Sequence, residues 1–196
     1  LYNVFKGQAT PQDALVNIQV GADLLLGDLL FTKADSEFTQ IGREVMLKKA
    51  LSAFNTVYDY CIVDTAPNLG ILLANALAAA DSVIIPLTAS RFSLKGMNQL
   101  AKFIDEIRQD RNPELKINGV LLTRYNKRTV LNRMLLDETQ QSAEILGTKL
   151  YKTTIRQSIA MDESQVMQED IYTHSSTIAE DYNNFVDEFL EGEYEH

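Results

Sequence analysis

The residue best placed to do chemistry is Asp64. It closes the apolar run Val57–Val63 (V-Y-D-Y-C-I-V). Such a run of β-branched and aromatic residues predicts a strand buried on both faces. A strand of that kind carries its last residue to the carboxyl edge of the sheet, where open α/β sheets bind their ligands. A carboxylate there can hold a Mg²⁺ ion through water, because Mg²⁺ takes oxygen ligands and keeps several of its own waters. Taken alone, an aspartate at a strand end is more often a turn or helix-capping residue. The continuation T-A-P-N-L-G (Thr65–Gly70), running into an apolar helical stretch as far as Ala80, is the more specific feature. Gly70 permits close backbone approach or an unusual turn, and Asn68 can cap the helix that follows. Other chemistry is scarce. Cys61 is the single cysteine and lies within the predicted buried strand, so neither an internal disulfide nor a multi-cysteine metal site is available. His174 and His196 stand apart from other ligand types, which argues against a histidine-based metal centre.

The elements that position Asp64 follow from periodicity. Further strands are predicted at Val83–Leu87, Ile117–Tyr125, Leu150–Ile155 and Asp23–Leu26. Helical spacing lies between them. Met97, Leu100, Ala101, Ile104 and Ile107 fall on one helix face, and Leu131, Met134 and Leu135 begin another, with Thr129 as its cap. Ile41, Val45, Leu51 and Phe54 sit on a third. Ile178, Tyr182, Phe185, Val186 and Phe189 mark an amphipathic C-terminal helix. Alternation of this sort implies βαβ units and an α/β fold with a mostly parallel, twisted sheet flanked by helices. There is no repeat or Pro/Gly-rich linker, and the 196 residues suit a single domain, 1–196.

Charge is unevenly spread. The net charge is −9, yet residues 157–196 hold 11 acidic residues and no Lys or Arg, while residues 91–156 carry 13 basic and 7 acidic side chains. The local potential of a face outweighs the whole-chain sum, so DNA stays possible; ordinary solvated faces are the alternative. No run of about 18 uncharged apolar residues is present, which argues against a membrane span. The acidic last helix would be repelled by anionic membranes. A lone cysteine fits a reducing cytosol.

The stretch D-Y-C-I-V-D-T-A-P-N-L-G-I-L-L-A-N-A-L-A-A-A-D-S-V-I-I-P-L (Asp59–Leu87) resembles the ParA/Soj group of partition ATPases. That group reads Y-D-Y-I-I-I-D-x-P-P-S-L-G, then a helix with an N-A-L core, then A-D-x-V-x-I-P. F-S-L-K-G-M (Phe92–Met97) and P-E-L-K-I-N-G-V-L-L-T-R-Y-N-K-R-T (Pro113–Thr129) keep the same register. The resemblance implies a P-loop NTPase-like fold of the SIMIBI type, with ATP and Mg as cofactors. It makes Asp64 the Walker B aspartate, catalytic and metal-binding through water. It makes Pro67, Asn68, Leu69 and Gly70 the loop that senses the γ-phosphate. It places Thr123, Arg124, Asn126 and Arg156 around the adenine, although after the fourth strand the family has Pro-Arg-Asn where this chain has Arg156, Gln157 and Ser158, without the proline. Arg156 could stack on a base or form a salt bridge.

The family's K-G-G-V-G-K-T phosphate loop has no counterpart: of the nine glycines here, none is followed by Lys. A phosphate cradle needs glycine backbone N–H groups and a lysine. With Leu1 as first residue, the expectation is an N-terminally truncated domain lacking its first βαβ unit and unable by itself to hydrolyse ATP. The resemblance further implies a bacterial, cytoplasmic, nucleoid-associated protein. It would be a homodimer when ATP-bound, bind DNA non-specifically through Lys127, Arg128, Arg133 and Lys152, answer to a ParB-like centromere-binding partner, and have no membrane role. Two other classes compete with it: a non-catalytic interaction module that kept the fold, and a regulator acting through DNA binding alone.

Overall fold

Backbone pairing follows the β-branched runs in part of the chain only. The computed structural model describes residues 1–18, 21–88, 90–128 and 130–194. These divide into two units, one of Leu1–Asp81 with Lys102–Leu115, the other of Ser82–Ala101 with Lys116–His196. Thr129 and His196 lie outside the described residues.

The first unit holds α1 (Tyr2–Phe5), the hairpin strands β1 (Leu15–Ile18) and β2 (Ala22–Leu25), then α2 (Ala34–Glu37), α3 (Met46–Leu51) and α4 (Ile71–Ala79). β1 and β2 pair antiparallel, Leu15 opposite Leu25. Tyr2, Phe5, Phe31 and Phe38 gather with ring centroids 5.4 to 6.4 Å apart, mostly edge to face. α4 (I-L-L-A-N-A-L-A-A) is apolar all round and accordingly almost wholly buried. Its one polar residue, Asn75, is buried and fully used: Nδ2 donates to the carbonyls of Arg43 (2.7 Å) and Ile71 (2.9 Å), and Oδ1 accepts from the Leu47 N–H (3.0 Å). Asn112 closes the other end, donating to the Leu77 and Ala80 carbonyls at 2.9 and 2.7 Å, so the last turn is not left with unmet acceptors.

Two expectations for this unit are corrected. The helix read through Ile41, Val45, Leu51 and Phe54 begins only after Gly42, whose left-handed φ of 81° breaks the turn before it; Ile41 is left exposed, and 3₁₀ turns flank α3 on both sides. The strand expected at Val57–Val63 is not formed. Among the described residues no segment pairs with it, and the only ladders are β1–β2 and the sheet of the second unit. A strand needs a neighbouring strand for its N–H and C=O groups; in this segment, which joins no ladder, Val57 and Ile62 are 63 and 95% exposed. Cys61, expected inside that buried strand, is exposed as well.

The second unit contains β3 (Ser82–Thr88), the first turns of α5 (Arg91–Asp110), β4 (Lys116–Tyr125), α6 (Val130–Ile145), β5 (Leu150–Arg156), α7 (Ile159–Met167), α8 (Ile171–His174) and α9 (Ser176–Tyr194). β3, β4 and β5 form a parallel sheet in that order, with Ile85 beside Val120 and Leu122 beside Thr154. Side chains alternate between faces. Ile85, Leu87, Val120 and Leu122 pack with Met97 of α5 and Ala143 of α6 on one face. Leu121, Tyr151 and Ile155 meet Tyr182, Phe185 and Phe189 of α9 on the other. Helices thus cover both faces, as a parallel sheet requires, and the α/β class expected from the sequence is the class observed. Gly119 admits the second layer: a Cβ there would stand 2.5 Å from the buried Tyr151 ring.

Candidate functional site

The expected magnesium and switch residues lie in the first unit. Asp64 is exposed in the irregular segment that replaces the expected strand. Pro67, Asn68 and Leu69 are exposed and lead through Gly70 into α4. Asn68 was expected to cap that helix. Its side chain is not the cap; Asp35 of α2 is, its Oδ1 accepting from the Ile71 N–H at 2.8 Å. An aspartate suits this position, because the first N–H groups of a helix have no partner within it and carry partial positive charge. Gly70 is what lets Asp35 in: a Cβ on residue 70 would lie 2.9 Å from Asp35 Oδ2. The close approach anticipated at Gly70 is therefore made by a carboxylate of the chain itself.

The other expected residues fall in the second unit, at the carboxyl ends of β4 and β5. There a cleft of ≈ 570 Å³ is lined by Tyr125, Asn126, Lys127, Arg128, Lys152, Arg156 and Asp181 among others. Its position follows the rule for open α/β sheets, and its size suits a small organic ligand. The residues that the resemblance places at adenine, Asn126 and Arg156, and those that it places at DNA, Lys127, Arg128 and Lys152, line one and the same cleft. Asn126 shapes its own loop, its Oδ1 accepting from the Arg128 N–H at 3.0 Å. Thr123 and Arg124 do not line the cleft. Thr123 Oγ1 points back to the Leu87 carbonyl at 3.5 Å, and Arg124 holds a left-handed φ of 50°, uncommon for a side chain of its size. Arg133 falls on α6, and its side chain lies outside those described.

Arg156 is fixed by a residue that sequence reasoning missed. Its Nε and Nη2 donate to Oδ2 and Oδ1 of Asp181 at 2.7 and 2.5 Å, and its backbone N–H donates to Oδ2 at 3.0 Å. Burial opposes ionisation of Asp181, but the guanidinium and the backbone N–H outweigh it and hold the carboxyl below the usual carboxylate range; Lys127 pulls the same way. The hydrogen bond to Asp181 likewise raises the affinity of Arg156 for its proton. Two turns along α9, Glu188 accepts from the N–H groups of Lys152 and Thr153, both at 2.8 Å, and is also held below its ordinary range against the opposing effect of burial. β5 is an edge strand, and these carboxylates satisfy N–H groups that an edge leaves open. The signal was present in the sequence. Asp181 sits three residues after Ile178 and one before Tyr182, on the apolar face of α9, where a solvated acid does not belong.

Among the described residues no group of three or more His, Cys, Asp or Glu is arranged to hold a metal ion, and no helix is long and apolar enough to cross a membrane.

A family model described as an AAA domain matches residues 1–117. The chromosome partitioning protein ParA of Caulobacter vibrioides is 33% identical over 168 residues, which cover 84% of this chain and 62% of that protein. The sporulation initiation inhibitor protein Soj of Bacillus subtilis is 40% identical over 124 residues, 63% of this chain and 48% of Soj. The chain spans about half the length of the curated relatives it matches. Among solved structures, cobyrinic acid a,c-diamide synthase from Mycobacterium smegmatis with bound ATP analog and magnesium is 35% identical, with a TM-score of 0.66 over 70% of this chain and 55% of that one. A plasmid partition protein from Borrelia burgdorferi bound to AMPPNP shares the fold, with 24% identity and a TM-score of 0.80 over 97% of this chain and 73% of that one. The match over residues 1–117, with the motifs from Asp59 to Leu87 inside it, settles the lineage: the chain belongs to the ParA/Soj-type P-loop ATPase family.

Proposed function

We propose that this chain is the magnesium, switch and base-binding portion of a partition ATPase that moves a plasmid, mobile element or chromosome. The observation that carries the reading is the sequence Asp64–Gly70 delivered to the N-terminus of the buried helix α4, within a chain whose relatives are partitioning proteins. Asp64 would hold Mg²⁺ through water, and its exposure leaves it free to do so. Pro67, Asn68, Leu69 and Gly70 would respond to the γ-phosphate, with movement passing into α4. A relative holding an ATP analog and magnesium supports ATP and Mg as the ligands. Arg156 and Asn126, on the wall of the β4–β5 cleft, would border the adenine; Thr123 and Arg124, behind it, would support the loop.

The phosphate cradle would come from a first βαβ unit outside these residues, making residues 1–196 the larger part of one ATPase domain. Val57 and Ile62, 63 and 95% exposed in a segment that joins no ladder among the described residues, support that reading, because an added strand would cover them. In the ATP-bound dimer, Lys127, Arg128, Arg133 and Lys152 would meet DNA phosphates, giving non-specific, nucleoid-associated binding in the bacterial cytoplasm. A ParB-like partner would trigger hydrolysis and release. The test is a chimera in which the phosphate-loop segment of the Bacillus subtilis Soj relative precedes Leu1. The expected result is Mg-dependent ATP turnover that disappears with Asp64→Ala; turnover indifferent to that substitution would defeat the reading.

A further inference from the structure

The salt bridge that fixes Arg156 does not use up the guanidinium. Nε and Nη2 pair with the two oxygens of one carboxylate, and paired bonds of this kind lie in the guanidinium plane. Both flat faces, and the Nη1 edge, remain outside the pair. The side chain is 45% exposed in the wall of the cleft, while the Asp181 side chain is only 8% exposed. All three hydrogen bonds that Arg156 makes to Asp181 originate within one residue, so backbone and guanidinium are locked together. Stacking and salt bridging, which sequence reasoning set against each other, are here compatible.

The geometry points to Asp181 as a positioning residue that presents the Arg156 guanidinium as a flat platform for a nucleobase of a free nucleoside or nucleotide. This deepens the nucleotide reading of the cleft and rests on it. A delocalised guanidinium stacks well on aromatic planes, and its orientation decides whether it can. Asp181 acts through Arg156: it holds the cation as an oriented surface. Lysine at position 156 would keep the charge and lose the plane.

The test is an NMR titration of the ¹⁵N-labelled 196-residue chain with adenosine, followed at the Arg156 Nε–H signal. The wild type is expected to bind with an adenosine-induced shift at that signal. Asp181→Asn and Arg156→Lys should each weaken binding about tenfold. Glu188→Gln removes a comparable tie between α9 and β5 without touching Arg156, and should bind like the wild type. If Asp181→Asn loses its fold, Arg156→Lys with Glu188→Gln still decides whether the plane matters. Asp181→Asn binding adenosine as tightly as the wild type would overturn the positioning role. No binding by the wild type, or binding of an oligothymidylate octamer only, would overturn the platform for free nucleosides. The partition reading is judged separately, by turnover of the chimera and its dependence on Asp64.

Discussion

At the scale of single residues, two glycines make opposite demands. A methyl group at Gly119 would enter the ring of Tyr151, which is only 2% exposed and is pinned by Phe185 at 5.0 Å between centroids. The ring has nowhere to go, so Gly119→Ala is expected to cost about 1–3 kcal/mol in urea unfolding, the range for overpacking a core. At Gly70 the neighbour is the carboxylate of Asp35, which is exposed and can swing away. The cost of Gly70→Ala is then the lost cap on α4, about 1 kcal/mol. Asp35→Ala removes the same cap, so the double variant is expected to be no less stable than either single one, and an additive pair would refute the coupling. The close approach at Gly70 was legible in the sequence because its neighbours form a motif. Asp35 was not, because nothing in local spacing links it to a helix 36 residues later.

At the scale of elements, α9 and β5 are joined by carboxylates as much as by apolar contact. Asp181 and Glu188 both hold their protons less readily than free carboxylates do. Their contribution to stability is therefore full above about pH 5, clear of the ordinary carboxylate range near pH ~4. It is lost as the pH falls through the depressed folded values. Asp181→Asn and Glu188→Gln should each lower the thermal midpoint at pH 7 and flatten its decline between about pH 5 and pH 3, the interval in which linkage to such groups acts. A decline as steep as that of the wild type would show that the acid sensitivity lies elsewhere. The three strands of the parallel sheet and the amphipathic last helix were readable because burial on two faces and on one face leave different periodicities. The strand at 57–63 was misread for a physical reason: an apolar run states that a segment is to be buried, and not which neighbour buries it.

At the scale of the molecule, the acidic total hides a cationic cleft edge. Lys127, Arg128 and Lys152 are exposed on one cleft in a chain of net charge −9. In the ATP-competent chimera, replacing each by Gln should weaken duplex DNA binding for all sequences alike and reduce the slope of log affinity against log salt by about 1 per residue. An unchanged slope would place the DNA face elsewhere. Charge counting had found the basic stretch at 91–156, but only folding brings residues 127, 128 and 152 beside Arg156. On the proposed reading, residues 1–196 carry the magnesium and switch part of an ATP site without its phosphate cradle. Calorimetric titration of Mg-ATP into the 196-residue chain tests this most directly. The prediction is no binding at micromolar concentrations, since none of the nine glycines precedes a lysine. Micromolar affinity that depends on Mg²⁺ would contradict it.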